Sequence, residues 1–218
     1  MNRRGALTVL AFLAAGVLVG AFAINYVHNS PPPLTASTTG QSSNGPVVDL
    51  KLTTVAAIGA LRPNDDHPNW VGYFPTTFFK VPPNATVRVT IDQQDGPSGL
   101  RNEYLGLVRG TVGNSMTIYT SDPAAGGAGS GKTVQAIDPT LAAHTFSVPD
   151  LGVNVPLLGI DATNPKNTDN FVTFTFKVPS SGIFHWQCFV PCAAGTLYGN
   201  GGPMQTLGYM DGQIEVGS

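Results

Sequence analysis

The sequence predicts an all-β domain, a Greek-key sandwich of two sheets, preceded by one apolar N-terminal helix. Three observations lead there. A single unbroken apolar run opens the chain. Short β-branched and aromatic runs recur through the rest. Gly and Pro, 26 and 18 of the 218 residues, mark the gaps between those runs, as they do where turns join strands. The sequence offers no soluble amphipathic helix and no internal repeat.

The apolar run covers residues 6–26 and carries no charge. About 20 such residues suffice for one helix to cross a bilayer. Arg3 and Arg4 precede it, which keeps the N-terminus inside and sends the rest across. A cleaved signal segment also fits, with Ala21-Phe22-Ala23 as a small-x-small site. Both readings place the remainder on the extracytoplasmic side. No Cys follows the run, so lipid attachment is not expected. Residues 29–46 hold Pro31-Pro32-Pro33 and many Ser, Thr and Gly, and read as a linker. The globular part is then 47–218. All 13 acidic residues lie in it, against 9 basic ones once Arg3 and Arg4 are set aside, a net charge of about −4. Such a balance offers no footprint for nucleic acid.

Within that part, residues 47–55 alternate weakly. Residues 85–92 alternate well, with Val87, Val89 and Ile91 on one face. Residues 115–120, 143–148, 171–178, 182–188 and 212–216 complete the expected strands. Pro82-Pro83-Asn84 and Pro179-Ser180-Ser181-Gly182 are turn signals between them. Seven or more short strands favour two packed sheets. Residues 96–140 are Gly-rich and only partly strand-like, and read as an elaboration between two core strands.

Residues 126–133, GGAGSGKT, match the P-loop pattern. That pattern needs a strand before the loop and a helix after it, whose N-terminus receives the phosphate. Here Ser121-Asp122-Pro123 is a turn, and residues 134–139 are too short for a helix. The expectation is a surface loop and no nucleotide.

The chain has two cysteines, Cys188 and Cys192, spaced C-x3-C. Two readings compete in an oxidising compartment: a disulfide across a tight loop, or a pair of metal thiolates. Thiolate, imidazole and thioether together suit copper. His144 opens the strand at 143–148. Met204 and Met210 follow the cysteines, and Met210 stands just before the last strand. One His far upstream, then Cys, then Met before the final strand is an order that lets two strands and a loop converge on one ion. No Ser-His-Asp order and no motif of paired carboxylates argues for a catalytic role.

The run His144-Thr-Phe-Ser-Val-Pro-Asp-Leu-Gly-Val-Asn154, with Gly182-Ile-Phe-His-Trp-Gln-Cys188-Phe-Val-Pro-Cys192, resembles the cupredoxin family. Specifically, it is similar to the copper-binding domain of cytochrome c oxidase subunit II, over residues 143–216. The resemblance implies a cupredoxin-like sandwich that binds copper, mononuclear or dinuclear, and transfers electrons. Its implied ligands are His144, Cys188 and Cys192, with the backbone carbonyl of Val190. It also implies a redox protein partner or oxidase subunits. The sequence departs from the pattern after Cys192. Thr196 and Gly199 stand where the family has its second His and its Met. If Met210 is taken as that Met, Leu207 takes the place of the His. Met204 and Met210 are then the thioethers available, and His185, His67 and His28 the remaining imidazoles. Odd spacing from Cys188 puts His185 on the opposite face of a regular strand. Trp70, Tyr73, Phe74, Phe78 and Phe79 read as packing residues rather than a docking patch. The alternative function is a metal-free cupredoxin-fold module for structure or protein binding, stapled by a Cys188–Cys192 disulfide.

Overall fold

The apolar run folds as one α-helix, α1 (Arg3–His28), in a computed structural model of the chain that describes residues 3–28, 34–42, 45–61, 69–125, 131–192 and 202–217. Its stretch Arg4–Ile24 has a mean hydropathy of 2.5 and is long and apolar enough to cross a membrane. At about 1.5 Å of rise per residue it matches a hydrocarbon core of about 30 Å. The chain divides into two compact units, residues 1–30 and 31–218.

The second unit is a β-sandwich. One sheet contains β1 (Leu34–Thr35), β5 (Phe78–Val81), β9 (Ala142–Val148), β10 (Val153–Leu158), β12 (Gly182–Gln187) and β13 (Asp211–Val216). Their spatial order is β1-β5-β13-β12-β9-β10. The other contains β2 (Ser37–Ser42), β3 (Gly45–Val55), β4 (Gly72–Phe74), β6 (Thr86–Gln93), β7 (Met116–Tyr119), β8 (Lys132–Val134) and β11 (Asn170–Lys177). Its order is β2-β3-β6-β11-β7-β8, with β4 paired to β3. The chain crosses repeatedly between sheets, so that β6 and β11 lie in one while β9, β10, β12 and β13 lie in the other.

All seven expected strands are present. β6 shows the predicted alternation: Val87, Val89 and Ile91 are buried in the core while Arg88 faces out and pairs with Asp49. Period-2 burial of this kind fixes which face looks inward. β1 and β2 correct the reading of residues 29–46 as a linker, because the sandwich begins at Leu34. β2 is polar throughout, an edge strand held to β3 by backbone pairing. Apolar alternation has no role in such a strand, and so none betrays it. β10 also escaped detection. It is buried along its length, but it carries Asn154 and Pro156, residue types depleted in strands, so its composition does not read as one.

The cover over β10 comes partly from the elaboration at residues 96–140. Its segment Glu103–Gly106 packs over β9 and β10. Asn154 in β10 donates to the carbonyls of Tyr104 and Leu107 at 3.1 and 2.7 Å. It also accepts from Ser147 Oγ at 2.7 Å. The rest of the elaboration forms the β7–β8 hairpin, which extends the second sheet through β11. Lys132–Val134 is thus a strand, and no helix N-terminus follows Gly131 to receive a phosphate. The loop residues 126–130 lie outside the described residues.

Aromatic rings fill the space between the sheets. Trp186 stacks on Phe146 with centroids 4.7 Å apart and meets Tyr73 edge-on at 4.9 Å. Its indole N–H donates to the Thr77 carbonyl at 2.9 Å, so its one polar group is satisfied within the core. Trp186 also stacks on Phe79. Tyr73 and Phe79, from the aromatic stretch, are core residues as expected. Between β9 and β10, Gly152 takes φ 65°. That left-handed turn closes the hairpin, and glycine takes it without a Cβ penalty.

Candidate metal centre

β9 sets the first donor. Phe146 and Val148 point into the core, and His144 shares their face by the two-residue period. It is buried, at 3% exposure. β12 and β13 set the second. Cys188 directly follows β12, and its N–H donates to the Met210 carbonyl at 2.9 Å, just before β13 starts. The chain then turns tightly, with Cys192 N–H donating to the Val190 carbonyl at 2.7 Å. This brings Cys192 back toward Cys188. Three elements therefore deliver one imidazole and two sulfurs to a single point.

His144, Cys188 and Cys192 are all buried, and their donor atoms lie within 4.8 Å of one another. His144 Nδ1 is 2.8 Å from Cys192 Sγ and 3.9 Å from Cys188 Sγ. The sulfurs are 3.4 Å apart and unbonded. A disulfide, at about 2.05 Å, is therefore absent, which corrects the stapled-loop reading. The Val190 carbonyl oxygen lies 3.4 Å from Cys188 Sγ. Met210 is fully buried, and Met204 is half-buried against the core. His185 turns away, as its spacing predicted, and its Nε2 meets Asp211 Oδ1 at 2.6 Å. His67, Thr196 and Gly199 lie outside the described residues.

Asp95 belongs to this site, and sequence reasoning missed it. It sits just past β6, and its Oδ2 is 3.2 Å from His144 Nε2. The carboxylate thereby leaves Nδ1 facing the sulfurs. Asp95 is held in turn: Gly96 N–H donates to its Oδ1 at 2.8 Å, and Gln93 Nε2 donates to its carbonyl at 2.8 Å. Gln93 is itself buried and paired with Thr54. Nothing in the stretch Asp92-Gln93-Gln94-Asp95-Gly96 marks this role, because the partner is 49 residues away. Carboxylate–imidazole pairs of this kind orient ligands in metal sites.

The charges reinforce one another. Burial works to lower the His144 imidazole, but the hydrogen bonds and charges of Asp95 and Cys188 outweigh it and hold it up at about 9. Its hydrogen bond to His144, set against burial, holds the Asp95 carboxyl below the usual carboxylate range. Burial would raise the Cys188 thiol. Hydrogen bonds from Cys192 and His144, the imidazolium charge and the Thr145 N–H, 3.3 Å away, instead hold it well below the usual thiol range. The hydrogen bond to Cys188, and then burial, push the Cys192 thiol up. Nδ1 stands nearer Cys192, yet the charge belongs on Cys188, because Cys188 also accepts a backbone N–H. The sulfurs thus share one proton, since two thiolates 3.4 Å apart repel.

A cleft of about 470 Å³ opens onto the site, lined among others by Trp70, Asp95, Leu100, His144, Val190 and Cys192. Leu100 comes from the elaboration, which also brings the Tyr104 ring within 6.1 Å of Phe189.

No family model and no curated protein matches the chain. Among solved structures it is similar to the copper protein rusticyanin, 16% identical, covering 91% of this chain and 94% of that one with a TM-score of 0.35. A rusticyanin structure from Thiobacillus ferrooxidans is 17% identical, with 91% and 93% covered and a TM-score of 0.33. Auracyanin B is 14% identical, with 84% and 97% covered and a TM-score of 0.30. These likenesses are distant, and the site stands on its own geometry.

Proposed function

We propose that this protein binds copper through His144, Cys188 and Cys192 and passes electrons as a membrane-anchored, extracytoplasmic cupredoxin-like protein. The observation that carries this reading is the convergence of one imidazole and two sulfurs on a single buried point. The donor set fits the ion: first-row metals sit about 2.0–2.3 Å from imidazole and thiolate donors, and donors this close together can share one ion. Two sulfurs and an imidazole favour copper among the softer metals. Copper in such a place supplies a one-electron couple. The protein's share is to hold the donors in fixed positions, with Asp95 orienting His144 and the Thr145 N–H steadying Cys188. Among the described residues one imidazole joins the cluster, which supports a mononuclear site. Met210, fixed beside Cys188 through its carbonyl, and Met204 are the thioether candidates for a further ligand.

The apolar helix supports anchoring, and its two leading arginines support an extracytoplasmic domain. The sequence resemblance to the oxidase subunit II copper domain supports a haem–copper oxidase component or its electron donor as the redox partner. Copper titration of the full chain in detergent, under reducing and oxidising conditions, tests the reading. A visible thiolate-to-copper band that disappears in Cys188→Ser is the expected result, and paramagnetic resonance then distinguishes one copper from two. Absence of the band and of bound copper, with both thiols alkylated before and after copper, would overturn it.

A further inference from the structure

The cysteine pair has a geometry that a metal site alone does not call on. Cys192 lines the cleft, while Cys188 is wholly buried behind it. Their sulfurs are 3.4 Å apart, so closing to a bond of about 2.05 Å needs only a small rotation of two side chains. One sulfur therefore meets what enters the cleft, and the other waits beside it. Cys192 is 8% exposed. Such slight exposure admits a small uncharged oxidant and excludes the approach of a bulky disulfide.

We propose that the metal-free Cys188–Cys192 pair is a peroxide-reactive dithiol, with Cys192 as the attacking sulfur and Cys188 as the resolving one. The oxidant is a small hydroperoxide. The Cys192 sulfur attacks one oxygen of hydrogen peroxide, the O–O bond breaks, and the displaced hydroxide leaves with the Cys192 proton as water, giving a sulfenic acid at Cys192. The Cys188 sulfur then attacks Cys192 Sγ, the S–OH bond breaks, and that hydroxyl leaves as water with a proton from solvent. Two electrons pass from the sulfurs to the peroxide, whose oxygens end as two waters. This is the ordinary first step of thiol oxidation, resolved by a neighbouring thiol. Both sulfurs are consumed by the new bond, so the disulfide form no longer offers the copper donor set. The chemistry requires no metal and stands whether or not copper uses the same sulfurs.

The test uses the full metal-free chain in detergent, treated with one equivalent of hydrogen peroxide and then denatured in an alkylating agent. The expected product has lost about 2 Da and carries no alkyl group, and a phosphine reductant restores both thiols. Cys188→Ser should stop at the sulfenic acid, trapped on Cys192 by a cyclic 1,3-dione. Cys192→Ser should slow peroxide consumption by about tenfold or more, leaving a buried, slowly reacting thiol. Circular dichroism of both variants checks that they fold. The proposal is overturned by wild-type protein that consumes peroxide no faster than Cys192→Ser, or by sulfinic acid without disulfide. Copper binding is read separately on untreated protein, so loss of one result does not imply loss of the other.

Discussion

At the residue scale, the site depends on a balance between His144 and Cys188. The His144 imidazole is held at about 9, above its ordinary 6.5. Its contribution to stability is therefore complete below 6.5 and lost as pH rises through about 9. The Cys188 thiol is depressed from its ordinary 9.0. Its contribution runs the other way, present above 9.0 and lost as pH falls through the depressed value. Between 6.5 and 9 the two slopes oppose. Metal-free protein should therefore melt at a nearly constant temperature across that window by calorimetry. Asp95 touches the site through its hydrogen bond to His144. Asp95→Ala should leave the fold intact and weaken copper affinity about 10- to 100-fold, measured by competition with a Cu(I) chelator. Affinity unchanged in that variant would remove Asp95 from the site.

At the element scale, β9 carries His144 and pairs with β10, and their outer face is covered by Glu103–Gly106. Asn154 holds that cover with two hydrogen bonds, to the Tyr104 and Leu107 carbonyls, and a third ties it to Ser147 on β9. Asn154→Ala removes the donor of the Leu107 carbonyl and one partner each from Ser147 Oγ and the Tyr104 carbonyl, which keep Thr145 and the Leu107 N–H, a loss of about 1–3 kcal/mol. Hydrogen exchange should show faster amides in residues 103–107, with β6 and β11 unchanged. The strong alternation of β6 and the aromatic β11 were legible in the sequence. β2 and β10 were not, one because both its faces are polar and the other because Asn154 and Pro156 interrupt its apolar residues.

At the scale of the whole molecule, the chain divides into an apolar helix and a sandwich with one aromatic core. Phe146 and Trp186 stack at its centre. Phe146→Ala should cost about 3–5 kcal/mol in denaturant unfolding. Because His144 lies two residues along the same strand, the same change should loosen copper binding as well. The two units should also separate in function. A chain lacking residues 1–30 should leave the membrane fraction on cell fractionation and keep the copper stoichiometry of the full chain. Retention in the membrane fraction would argue that the sandwich itself associates with membrane.

The sequence by itself determined the helix, the sandwich class, and the pairing of His144 with the C-x3-C segment. The first two follow from periodicity and composition, and the third from the order of ligand types together with the resemblance to the oxidase subunit II copper domain. Only the tertiary structure decided that the sulfurs are apart, that His185 is turned away onto Asp211, and that Asp95 stands behind His144. Each of those depends on residues brought together from distant strands, and no spacing along one chain encodes the distance between two loops.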